Sequence, residues 1–282
     1  MSNLYLPFSG HNIVDSLLGE YLKKAKCSVE VYIPGKSEEG RPIHMIVTGE
    51  GPDCILSFAG VHGNEKLPII GISETLEKLW PGKMNDVLGK VSYVAVPVLN
   101  PDGEAMETRR NAKGININRD FGKYGPFKLR GSEFRSSEAR TARKIFEYCM
   151  ENFGHVLVID HHQDSRFDPE FHTKEFGEPE EMVDEIGFFM RDSVRKLDIF
   201  RHGDLSVFDY RFQDNKGMLV NYTSEFCPSI LTETSFFREA QITADMSALE
   251  TFSRILNRTS SRELQETSRP EDRFSPNSTL QT

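Results

Sequence analysis

No run of 18 apolar residues occurs anywhere in these 282 residues, which excludes a conventional membrane-spanning helix. The first residues, Met1 to Gly10, lack the basic start and apolar block of a secretory signal. Cysteine is scarce and unclustered. Cys27, Cys54, Cys149 and Cys227 form no CxxC pair and read as free thiols in a reducing cytoplasm, with two remote disulfides the alternative if a leader preceded this numbering. Positive charge is also in deficit. The 34 Lys and Arg against 43 Asp and Glu leave a net charge of -9, which argues against a general nucleic-acid partner. Local basic groups inside a cleft can still bind anions. Internal repeats are absent. The expectation is a cytoplasmic protein that takes neither nucleic acid nor a membrane.

What is present suits a globular chain, with 38% hydrophobic and 27% charged residues and enough length for one large core. His11 to Lys24 has helical apolar spacing, and Val29 to Pro34 and His44 to Thr48 are β-like. Cys54 to Val61, Val91 to Leu99 and Val156 to Asp160 are nearly continuous apolar runs, as strands buried on both faces require. Helical patterns cover Leu67 to Leu79, Ser132 to Asn152 (with Ser132 as its cap), Glu178 to Lys196 and Ala240 to Leu256, and Ser229 to Thr232 is a short strand. Strands alternating with helices predict an α/β fold with a mixed, mostly parallel twisted sheet and helices on both faces. Residues 1–257 are expected to form a single domain. The polar stretch 258–282, rich in Ser, Thr, Arg, Glu and Pro, is expected to be a disordered tail.

Sheets of this kind place ligands at the carboxyl ends of their strands. The chemistry-bearing residues fall there. His62 and Glu65 follow the first buried strand, Asn100 to Gly103 the second, His161 and His162 end the third, and Glu233 ends the fourth. Two imidazoles and a carboxylate are the donors of a catalytic zinc that keeps one position open. His62 and Glu65 at i and i+3 can face one point on a tight turn, helped by Gly60 and Gly63. Successive strand side chains alternate, so only one of His161 and His162 can join them. Asp160 could lie behind, orienting an imidazole.

At this level of detail the chain resembles the zinc carboxypeptidase family. The likeness runs in order over residues 10 to 257: Gly35 to Ile43 is similar to the family's early hairpin, and Gly60-Val61-His62-Gly63-Asn64-Glu65 to its zinc loop. Asn100-Pro101-Asp102-Gly103, then Thr108 through Phe121, is similar to its substrate-binding segment. Asp160-His161-His162 resembles its D-L-H strand end and Leu231-Thr232-Glu233 its catalytic T-x-E. The resemblance implies one Zn2+ per chain held by His62, Glu65 and His162, with His162 chosen over His161. It further implies that Arg109 steadies the oxyanion, that Asn118 and Arg119 hold the substrate's terminal carboxylate, and that Glu233 moves the proton. The implied partner is a peptide or acyl-amino acid with a free carboxylate, and the implied function is removal of a C-terminal or amide-linked residue. Hydrolysis of N-acyl amino acids, as by succinylglutamate desuccinylase or aspartoacylase, is the alternative, and a non-catalytic binding protein on this fold the more distant one. Three positions depart from the pattern. Asn116 replaces a usual Asp behind a zinc histidine, Phe212 stands where a mobile tyrosine is expected with Tyr210 out of step, and apolar Leu219 falls near the side-chain pocket.

Overall fold

The computed structural model describes residues 25–82, 84–121, 134–163, 170–197, 206–209, 218–234 and 238–267. The expected helix over residues 11–24, Tyr210 and Phe212 lie outside them. Eight strands form one sheet: β1 (Val29–Lys36), β2 (Pro42–Thr48), β3 (Asp53–Phe58), β4 (Val91–Val96), β5 (Val156–Gln163), β6 (Glu170–Phe176), β7 (Ser206–Asp209) and β8 (Ser229–Thr234). The helices are α1 (Lys66–Leu79), α2 (Asn85–Leu88), α3 (Pro101–Ala105), α4 (Ser137–Asn152), α5 (Glu180–Arg195), α6 (Leu219–Thr223) and α7 (Arg238–Thr267).

The strand order is β1-β2-β4-β3-β5-β8-β6-β7. The centre, β4-β3-β5-β8, is parallel, and β1-β2, β2-β4 and β6-β8 pair antiparallel. The mixed, mostly parallel sheet is therefore as expected. The apolar runs explain why its centre is buried twice over. Ile55, Tyr93, Leu157 and Ile159 face one core with α1, α5 and α7, while Cys54, Leu56, Phe58, Val94 and Val158 face the other with α4 and α6.

Two helix boundaries depart furthest from expectation. Helix α4 begins at Ser137, and its cap is Ser136, whose Oγ accepts from the Ala139 N–H at 3.2 Å. Ser132, outside the described residues, is not the cap. The reason is tertiary: Asp120 accepts hydrogen bonds from the Ser136 N–H and hydroxyl, both at 2.8 Å, and fixes the chain just before the helix. Helix α7 runs to Thr267, past the residue-257 limit of the expected domain; residues 268–282 lie outside the described ones. Strands β6 and β7 and helices α2, α3 and α6 have no counterpart in the sequence reading.

Chain direction places the carboxyl ends of β3, β5 and β8 along one edge. Between β4 and β5 the order reverses around β3, and such a switch point opens a crevice. Leu56 is fully buried on the central strand. Leu56→Ala should cost about 2–5 kcal/mol in urea unfolding. A loss below about 1 kcal/mol would mean that this core layer is not close-packed.

Candidate metal centre

The turn after β3 carries the first two donors. Gly60 adopts a positive φ of 59°, and a Cβ on Gly63 would stand 1.9 Å from the Gly103 carbonyl carbon. Only glycine lets this turn press against α3. The Glu65 N–H bonds the His62 carbonyl at 3.1 Å, closing the turn and bringing both side chains to one side. His162 arrives from the end of β5.

These three side chains converge. Their candidate ligand atoms lie within 4.8 Å of one another, and all three residues are buried. Both imidazoles turn Nδ1 toward the Glu65 carboxylate: His62 Nδ1 is 2.8 Å from Oε1 and His162 Nδ1 is 3.0 Å from Oε2. The Gln163 N–H donates to Oε2 at 3.1 Å and Arg109 to Oε1 at 2.9 Å. The outward nitrogens are held as well. His62 Nε2 meets Asn116 Oδ1 at 3.2 Å, and His162 Nε2 meets Asp160 Oδ2 at 3.1 Å and the Asn118 amide at 2.9 Å. Imidazoles oriented from behind by an acceptor are a usual metal-site arrangement. The donor set fits zinc in number, type and convergence.

Electrostatics agree. Burial acts to raise the Glu65 carboxyl, but the His162 charge and hydrogen bonds from both imidazoles hold it well below the usual carboxylate range. Burial acts to lower His162, yet the charges of Asp160 and Glu65 override it and keep that imidazole well above its ordinary value. His62 is lowered, chiefly by burial.

His161 goes elsewhere. It faces the opposite side of β5, where Nδ1 lies 2.8 Å from Thr232 Oγ1 and Nε2 lies 3.1 Å from Asp245 Oδ1 of α7. The latter is an ion-pair distance rather than an aligned hydrogen bond. Strand alternation therefore assigns the two neighbouring histidines to different jobs.

Around the three donors lies an open cleft of about 210 Å³. Arg109, Asn118, Arg119 and Glu233, the positions to which the resemblance assigned roles, line it. Glu233 stands directly beside His162 in the β5–β8 register. Asn118 Oδ1 accepts from the Leu219 N–H at 2.9 Å, which turns its amide nitrogen toward His162. Leu219 itself is a correction. Its side chain is fully buried in the core beside α4, and Met218 lines the cleft instead. Gln163, Lys174 and Met218 escaped the sequence reading. Gln163 could have been found as the residue after His162, whereas Lys174 sits on a strand whose mixed polarity hides it.

A family model described as zinc carboxypeptidase matches residues 15–165, more than half of the chain. Glu233 lies beyond the match. The fold is similar to a metallo-carboxypeptidase from Burkholderia cenocepacia (TM-score 0.63, 20% identity, covering 84% of this chain and 67% of that one). It is also similar to carboxypeptidase A from Helicoverpa armigera (0.63, 18%, 92% and 75%). A third likeness is to a metallo-carboxypeptidase from Pseudomonas aeruginosa in complex with (2-guanidinoethylmercapto)succinic acid (0.61, 19%, 86% and 68%).

His162→Ala should abolish stoichiometric zinc uptake while His161→Ala retains it, read by metal analysis of the purified proteins. The reverse pattern would overturn the choice between them. Asn116→Asp should tighten zinc about tenfold in chelator competition, because a carboxylate behind His62 makes the ligand more basic. An unchanged affinity would show that the amide already suffices.

Proposed function

The chain belongs to the zinc carboxypeptidase family, and from that premise we propose that it is a zinc-dependent carboxypeptidase that removes a C-terminal residue from a peptide. The observation that carries the reading is the meeting of two imidazoles, two carboxylates and two guanidinium groups around one cleft. His62, Glu65 and His162 would hold the ion. Zinc in such a site supplies Lewis acidity and lowers the pKa of water.

The chain's own groups do the rest. Arg119 receives the terminal carboxylate of the substrate, with Asn118 beside it. Burial, followed by the neighbouring Arg109 charge, lowers the Arg119 pKa, so an arriving anion relieves repulsion between two cations. A planar guanidinium can bind that carboxylate through two parallel hydrogen bonds. This fixes the direction of the peptide and sets its last amide bond over the donors. Arg109, already in the cleft through its 2.9 Å bond to Glu65, offers its remaining N–H groups to the carbonyl oxygen as negative charge develops there. Glu233 takes a proton from the attacking water and returns it to the leaving amine nitrogen. Its position beside His162, partly exposed to the cleft, supports that role.

Glu233→Gln should retain zinc and lose turnover of blocked peptides by about 10²–10⁴-fold. Full turnover in this variant would remove Glu233 from the mechanism. Zinc-loaded protein that cleaves neither peptides nor acyl-amino acids would refute the hydrolase reading.

A further inference from the structure

Arg109 is aimed by its loop. Its side chain is 51% exposed and reaches the centre through the 2.9 Å bond to Glu65, so packing alone does not hold the guanidinium. The chain after α3 must do so, and it is pinned at both ends. At the entry, Asp102 of α3 is fully buried. It accepts from the Ser37 hydroxyl at 2.6 Å, the Arg41 guanidinium at 2.6 Å and the Glu39 N–H at 3.0 Å. The turn between β1 and β2 thereby grips α3. At the exit, two residues past Arg109, stands the buried Asn111. Its Oδ1 accepts from the N–H groups of Lys113 and Ile115, at 3.1 and 2.9 Å, and its Nδ2 donates to Glu138 Oε2 at 2.9 Å.

Glu138 lies in the first turn of α4 and is fully buried. Its other oxygen accepts from the Glu38 N–H at 3.3 Å, and the Glu38 carboxylate accepts in turn from the Ser137 N–H at 2.8 Å and pairs with Lys113. One carboxyl group thus joins the Arg109 loop, the β1–β2 turn and α4. Neither Asn111 nor Glu138 is among the described residues that line the cleft. A donor aimed at a developing charge has to be held to a fraction of an ångström. We propose that Asn111 and Glu138 are positioning residues for Arg109: their hydrogen bond fixes the exit of the loop, and so the point at which the guanidinium meets the substrate's carbonyl oxygen. This inference rests on the carboxypeptidase reading above, which gives Arg109 the oxyanion.

The test is a cycle of variants made in the full chain and loaded with zinc. Asn111→Ser cuts the bond to Glu138 without changing charge and leaves an oxygen for the nearby N–H groups. It should lower kcat on blocked peptides by about tenfold or more and keep KM within about twofold, since Arg119 still receives the carboxylate. In an Arg109→Ala background the same substitution should cost less than about twofold, because the group it aims is gone. The pair Asn111→Asp with Glu138→Gln restores the bond in the opposite sense at unchanged net charge, and should recover most of the kcat that Asn111→Asp alone loses. Equal losses in both backgrounds would reduce the link to a structural role, and a raised KM with unchanged kcat would move its effect to Arg119; either overturns the proposal. So would wild-type kcat in Asn111→Ser, or no recovery in the swapped pair. Zinc affinity, read by chelator competition, needs no turnover. Arg109→Ala takes a cation from Glu65 and should tighten zinc, Asn111→Ser should shift affinity the same way, and the two should not add. If the wild-type protein cleaves no peptide, the carboxypeptidase reading falls and the zinc cycle alone decides the positioning role. Glu138→Met cuts the link from its other end and runs both cycles if Asn111→Ser does not fold; failure of both to fold would make the link part of the fold and overturn the proposal.

Discussion

A buried carboxylate has to be satisfied from every side, and Glu65 is where that requirement organises this molecule. Its two oxygens accept from two imidazoles, one backbone N–H and one guanidinium. Those donors come from the β3 turn, the end of β5 and the loop after α3. An unpaired charge at this depth would cost several kcal/mol. The three segments are thus tied together by one acidic group, and the centre they form is held in shape by its second neighbours, Asn116, Asp160 and Asn118.

The sheet converts that local constraint into a site. Parallel strands β3, β5 and β8 end on the same edge, so residues far apart in the chain become neighbours one strand spacing apart. Alternation then divides each strand end between two faces. On one face His162, Leu231 and Glu233 meet the cleft. On the other, His161 and Thr232 join a buried polar group centred on Asp245, whose Oδ2 also accepts from Tyr93 at 2.9 Å and Thr75 at 3.3 Å. That second network stitches α7 and α1 to the back of the sheet. It gives the strand ends a rigid footing, which precise placement of metal-binding groups demands.

Charge tells the same story at the scale of the cleft. The chain is acidic overall, with a net charge of -9, yet Arg109, Arg119 and Lys174 are gathered in one place. On the carboxypeptidase reading proposed above, this local concentration of cations within an acidic protein would draw the substrate's carboxylate to the cleft. Among the described residues no helix is long and apolar enough to cross a membrane, and the four cysteines are unpaired.

Much of this was legible in the residues themselves. Continuous apolar runs marked β3, β4 and β5, since a strand buried on both faces has no polar side to show. Short-range chemistry marked His62, Glu65, the His161-His162 pair and Glu233, because strand ends are where such residues act; the alternation rule foresaw that the two histidines must part, and only the family resemblance chose His162. Other features depended on partners distant in sequence. Ser136 rather than Ser132 caps α4 because Asp120, sixteen residues earlier, holds it. Leu219 is core and Met218 is lining because α6 packs its own way against the sheet. Lys174 enters the cleft through the pairing of β6 with β8, which no local pattern announces. Amino-acid type and spacing determined which chemistry this protein could carry, since donor identity and strand burial are properties of short segments. Tertiary structure alone decided which side chain of each segment faces the cleft, because that depends on register and packing between segments far apart in the chain.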